Sequence, residues 1–146
     1  VTTARVVKAF KVRTSIRAKP ELVWALLTDA QGYVRWNNSV QRVEGVIALG
    51  HQVTVYPKTQ SGRAFPVRVV EFQPPRRMVW TAGMPFALFK GERTFLLTAG
   101  VNGEVEFFVI EEYTGLMASW IVRSIPDLQP AFDEFANDLK HAAETI

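Results

Sequence analysis

The apolar positions change rhythm near the end of the chain. They fall at Leu128, Phe132, Phe135, Leu139, Ala142 and Ile146, spacings of three and four that line one helix face. Asp133, Glu134, Asn137, Lys140 and Glu144 occupy the opposite side. The pattern predicts a helix over 127–146, roughly 30 Å long. Asp127 is its expected N-cap, which keeps Pro130 in the first turn, where a missing N–H breaks no helical bond. A shorter helical stretch is expected over 115–123, bending into the long helix at Pro126.

Upstream the period is two. Val6, Phe10, Val12 and Ile16 alternate with Lys11, Arg13 and Ser15, the mark of a half-buried strand. Pro20 then opens a short helix over 21–28, with Leu22, Val23, Leu26 and Leu27 on its apolar side. Asp29 is placed to cap a second short turn over 30–36. Further strands are expected over 41–47, 52–56, 65–72, 77–81, 88–98 and 104–113. Turn material separates them at 49–50, 57–62, 73–75, 83–85 and 100–103. Connections this short require antiparallel neighbours. An amphipathic helix needs a sheet to bury its stripe, and the sheet needs that cover. The expected fold is therefore α+β: a curved antiparallel sheet of six or seven strands around a long C-terminal helix. Two short helices follow the first strand, and 1–146 form one domain.

Composition narrows the function. With 48% hydrophobic and 21% charged residues over 146 positions, the chain is that of an ordinary folded domain. No apolar run approaches the roughly 18 residues of a membrane span. Lys8, Lys11 and Arg13 interrupt the first apolar stretch, unlike a signal peptide. The lack of cysteine excludes disulfides, thiolate metal sites and a cysteine nucleophile, and fits a cytoplasmic location. A net charge of +3, with basic residues scattered apart from Arg76-Arg77, argues against nucleic acid as a partner. His51 and His141 are isolated, and neither a Gly-rich phosphate loop nor a Gly-x-Ser-x-Gly elbow occurs. No metal and no cofactor are expected.

Several stretches resemble a known superfamily. Ala18-Lys19-Pro20-Glu21-Leu22-Val23-Trp24-Ala25-Leu26-Leu27-Thr28-Asp29, followed by Tyr33-Val34-Arg35-Trp36-Asn37, is similar to the opening of START-like, pollen-allergen-like proteins. Gly91-Glu92-Arg93-Thr94-Phe95-Leu96-Leu97 resembles their central strand. Glu111-Glu112-Tyr113-Thr114-Gly115-Leu116, with Phe132 through Glu144, resembles their close. The nearest likeness within the superfamily is to the polyketide cyclase/dehydrase and lipid-transport group (SRPBCC), over nearly the whole chain. One departure is Asn38, where that group often has proline. The resemblance implies a helix-grip fold with a cavity between the concave sheet face and the long helix.

In such a fold the lining would come from inward strand residues: Phe10 and Val12, Val53 and Val55, Val67 and Val69, Met78 and Trp80, Phe95 and Leu97, Phe107 and Val109. Trp24 and Trp36 would close one end, and Phe132, Phe135 and Leu139 would form the helix wall. The alternative is a filled core made of the same residues. Arg93 shares strand parity with Phe95 and Leu97, and Glu111 shares it with Phe107 and Val109. Both are therefore expected to point inward and to meet across the hairpin that turns at 100–103. Arg93 is a candidate to hold a ligand carboxylate, phenolate or carbonyl; the plainer reading is an ion pair with Glu111 alone.

Three functions fit. The first is a binder or carrier of a hydrophobic small molecule, lipid-like or aromatic, and it needs only an apolar cavity with one or two orienting polar groups. The second is a cyclase or dehydratase-type enzyme. The third is a protein-interaction module of the chaperone-activator type, which would have a filled core and an exposed apolar patch. The first is preferred, because no acid–base pair is assignable.

Overall fold

A computed structural model describes residues 5–60 and 62–146. Strand β1 (Lys8–Ile16) leads into α1 (Pro20–Thr28), a 3₁₀ turn (Ala30–Gly32) and α2 (Tyr33–Trp36). Strands β2 (Val40–Gly45), β3 (Gln52–Pro57), β4 (Phe65–Gln73), β5 (Arg77–Met84), β6 (Phe89–Ala99) and β7 (Val105–Thr114) follow. The chain closes with α3 (Ala118–Ile121), a 3₁₀ turn (Val122–Ser124) and α4 (Gln129–Glu144). The turn expected over 57–62 includes Ser61, which lies outside the described residues.

The seven strands make one antiparallel sheet in the order β1-β7-β6-β5-β4-β3-β2. Register slips at Val40/Arg42 in β2 and at Val69/Glu71 in β4. Such bulges sharpen strand curvature and help the sheet wrap around α4. This is the helix-grip fold: a curved sheet, two short helices after the first strand, and a long C-terminal helix in the concavity.

Local chemistry explains where elements begin and end. Pro20 sits at the start of α1, where its fixed φ suits a helix. Asp29 Oδ1 accepts from the Gly32 N–H at 3.2 Å and so caps the following 3₁₀ turn. Strand β5 runs past the expected end at 81, because Gly83 and Met84 still pair with Lys90 and Phe89. Asp127 is not the N-cap of α4; Leu128 holds that position. Asp127 nevertheless satisfies an orphan donor from one residue earlier, its Oδ1 accepting from the Gln129 N–H at 3.1 Å. The buried stripe of α4 is Phe132, Phe135, Ala136, Leu139 and Ala143. Ala143 takes the place expected of Ala142, and Ile146 lies beyond the helix, 78% exposed.

One end of the concavity is solid. Ile16, Val23, Leu27, Met78, Leu97, Val105, Phe107 and Leu139 are all buried there. Glu144 locks α4 onto this end: its Oε2 accepts from the Arg17 N–H at 2.9 Å and from Lys140 Nζ at 3.0 Å. The Arg17 backbone N–H, with Lys140 beside it, holds the Glu144 carboxyl below its ordinary range. A carboxyl depressed in the folded state adds stability above its unfolded pKa, and that contribution is lost as pH falls through the folded value. Glu144→Gln is therefore expected to lower the melting temperature at neutral pH. The gap to the parent should close on acidification below about pH 4. A gap that does not change with pH would assign the effect to packing instead.

Candidate functional site

At the other end of the concavity lies a cavity of about 550 Å³. Its walls are Val55 and Pro57 of β3, Phe65 and Val67 of β4, Trp80 and Ala82 of β5, Phe89 to Phe95 along β6, and Val109 to Tyr113 along β7. The segment 121–128 and Ala131, Phe132 and Phe135 of α4 form the roof. The space exists because side chains are small where the closed end has large ones. Along β6 the inward position is Gly91 here and Leu97 there; along β5 it is Ala82 here and Met78 there. A Cβ at Gly91 would sit 3.3 Å from the Tyr113 ring, its partner across the strands, so a side chain there would press on that ring and fill the space in front of it.

The wall is mostly apolar; Ser39, Gln60 and Arg63, which donates to Gln60 Oε1 at 3.4 Å, also line it, and a second polar group is built on β6 and β7. Arg93 and Glu111 are direct register partners on β6 and β7. Arg93 Nε donates to Glu111 Oε1 at 3.1 Å, and Tyr113 Oη donates to Glu111 Oε2 at 2.5 Å. Both carboxylate oxygens are thus engaged. The guanidinium carbon lies 4.7 Å from the centre of the Phe132 ring, a cation–π contact. The Arg93 and Glu111 side chains are 26% and 16% exposed, the remainder being held in the wall. Burial, and then the adjacent Glu111 charge, push the Tyr113 phenol above its ordinary value, so it stays a neutral donor. Among the described residues the two Nη groups of Arg93 have no hydrogen-bond partner. Their donors remain free for a cavity occupant.

Of the residues expected in the lining, Val55, Val67, Trp80, Arg93, Phe95, Val109, Glu111, Phe132 and Phe135 are at the cavity. Trp24, Trp36, Val53, Val69 and Phe107 are not, although all five face the interior. Trp24 packs against Phe72 at 5.5 Å between ring centres, under α1. Trp36 lies between Tyr33 and Phe135, at 4.9 and 5.4 Å, below the cavity floor. Val53 and Val69 are wholly buried beside the closed end, and Phe107 stacks on Phe135 at 6.1 Å. Met78, Leu97 and Leu139 also belong to this packed region, while Phe10 and Val12 lie behind the wall, beside Glu111 and Val109, with the Phe10 ring against Tyr113 and Phe132.

Sequence reasoning passed over Tyr113, which continues the parity of Phe107, Val109 and Glu111 and could have been found by it. Ile125 and Pro126 carry no periodic signal, because they lie between α3 and α4, whereas Leu128 opens the helical stripe as the N-cap of α4. The indole N–H groups of Trp36 and Trp80 are buried without a partner among the described residues. Among the described residues no three His, Asp or Glu side chains gather as a metal site, and no helix is long and apolar enough to cross a membrane.

Solved structures share this architecture. A hypothetical protein from Helicobacter pylori superposes with a TM-score of 0.75 at 12% identity, covering 94% of this chain and 89% of the other. The Aha1 dimer from Colwellia psychrerythraea gives 0.71 at 20% identity, covering 94% and 97%. The Zhui aromatase/cyclase from Streptomyces sp. R1128 gives 0.71 at 13%, covering 94% and 93%. At these identities the likeness is one of fold. No curated protein matches the chain. A family model described as polyketide cyclase / dehydrase and lipid transport matches residues 8–144. The chain therefore belongs to the polyketide cyclase/dehydrase and lipid-transport family of START-like proteins.

Proposed function

We propose that the protein binds or carries a hydrophobic small molecule, its apolar body in the cavity and an acceptor-bearing end against Arg93. The observation that supports this reading is a 550 Å³, mostly apolar space against which the Arg93 guanidinium, with its Nη donors uncommitted, is held by Glu111. Such a volume falls within the usual range for small-molecule sites. A cation at an apolar wall favours an occupant that supplies acceptor oxygens, a carboxylate, phenolate or carbonyl. Carriage is preferred to catalysis because both Glu111 oxygens are already hydrogen-bonded, and Tyr113 is held as a neutral phenol. Neither group is poised as a general base.

Native mass spectrometry of the purified protein tests the class directly, through a retained mass of lipid or aromatic size. A paired titration tests the chemistry: a long-chain fatty acid should raise the melting temperature, because it binds the native state alone. The matching alcohol should raise it less. Equal shifts would remove Arg93 from the reading, and no shift with any apolar ligand would remove the reading itself.

A further inference from the structure

The open end of the sheet carries an apolar surface that the cavity does not explain. Phe86 is 87% exposed, Leu116 82%, Trp120 66% and Met84 46%. All four belong to two segments that meet at this end, the β5–β6 hairpin tip and the stretch from β7 into α3. The Leu116 N–H donates to the Ala87 carbonyl at 3.0 Å, and the Met117 N–H to the Leu88 carbonyl at 2.8 Å. Gly115, at φ +125, permits this join: a Cβ there would come within 2.6 Å of the Leu88 carbonyl oxygen.

The tip is held in a conformation that few side chains adopt. Phe86 and Ala87 have φ of 61° and 57°, left-handed values in two successive residues that are not glycine. The turn they make leaves the Phe86 ring outside the fold, where none of the described residues covers it. The position also matters. Gly83, Phe89, Ile121 and Ile125 of these same segments line the cavity, so Trp120 lies outside while its neighbour Ile121 faces in.

Charge distinguishes between the surfaces that could cover such a patch. Residues 82–90 and 114–125 contain no aspartate or glutamate, and their charged members are Lys90 and Arg123. Lys90 pairs with Glu92 at 3.0 Å, whereas Arg123 is exposed and has no ion pair among the described residues. An aromatic tip whose two segments hold no acidic residue and carry the unpaired Arg123 matches the interface of an anionic lipid bilayer, which accepts Trp and Phe at headgroup depth and attracts Arg.

We propose that the β5–β6 tip and α3, through Phe86, Leu116 and Trp120, dock the protein on an anionic lipid surface beside the open end of its cavity. Docking there would bring the cavity against the bilayer without any transmembrane segment. The inference goes beyond the cavity's ligand and does not depend on that ligand being acidic.

Co-sedimentation with vesicles of equimolar phosphatidylcholine and phosphatidylglycerol tests it. The parent protein should pellet with these vesicles and less with phosphatidylcholine alone. The double variant Phe86→Glu/Trp120→Glu should lose at least about tenfold in partitioning, since each change removes a buried aromatic from the interface and adds repulsion. Its melting temperature and fatty-acid titration should match the parent's, because both side chains lie outside the core and the cavity. Arg123→Glu should weaken binding to the anionic vesicles selectively. Three results would overturn the proposal. The parent stays in the supernatant with anionic vesicles; the double variant pellets as the parent does; or sedimentation velocity without lipid shows a dimer that the double variant abolishes, which makes the patch an interface between copies.

Discussion

Phe135→Ala is expected to cost about 3 kcal/mol of stability, the lower end of the range for removing a buried phenylalanine. The ring is 7% exposed and sits where the packed and open halves of the concavity meet. It touches Tyr33 at 6.1 Å and Trp36 at 5.4 Å on the α2 side, and Phe95 at 6.3 Å and Phe107 at 6.1 Å on the sheet. Those four contacts argue for a large loss. The cavity on its remaining side argues for moderation, because that face of the ring has few partners to lose and the new space joins an existing one. In a domain of this size the loss corresponds to a fall of roughly 6–12 °C in melting temperature. Urea unfolding checks it: the midpoint should drop with an unchanged slope. A cost under about 1 kcal/mol would mean that the open cavity on one face of the ring outweighs its four aromatic contacts on the other. Leu139→Ala, one turn deeper in the filled end, should cost at least as much, since its side chain is wholly enclosed.

Strand parity made most of this legible before any coordinates. Strands β6 and β7 pair without a slip from Lys90↔Thr114 to Ala99↔Val105, so a period of two places every inward residue on them, Arg93 and Glu111 included. The long helix was legible for the same reason, as a period near 3.6. Parity does not tell how far along a strand the packed core ends, and this is where the expected lining went astray. Strand β3 runs from the closed end toward the open one, so Val53 is core and Val55 is wall. Strand β7 does the same, with Phe107 in the core and Glu111 and Tyr113 at the wall. Strand β4 runs the opposite way, so Val67 is wall and Val69 core. The boundary depends on strand direction and on the depth at which α4 lies, both products of tertiary packing. The exposed tip was hidden for a different reason: Phe86 reads as a core residue by type, and only the left-handed turn puts it outside.

Arg93→Leu is expected to weaken an acidic ligand by about ten- to a hundredfold and a neutral analogue of the same shape much less. The arithmetic rests on a charge-assisted hydrogen bond contributing roughly 1.5–3 kcal/mol. The substitution also leaves Glu111 in the wall with Tyr113 as its remaining donor. Stranding one member of a buried pair costs about 3–5 kcal/mol in a fully enclosed site. Here the side chains are 26% and 16% exposed and Tyr113 still donates, so a loss of about 2 kcal/mol is expected. The two effects must be separated, since a destabilised wall could weaken any ligand. The double variant Arg93→Leu/Glu111→Leu does this. With both charges gone no group is left unpaired, and stability should return to within about 1 kcal/mol of the parent. Preference for the acid should not return, because the guanidinium that meets it is still missing. Arg93→Lys sharpens the distinction further: it keeps the charge but cannot donate to Glu111 and to a ligand through one planar fork. Acid binding should therefore fall between the parent and Arg93→Leu. If the double variant recovers acid preference along with stability, Arg93 serves only to neutralise Glu111. The cavity then selects its ligand by shape.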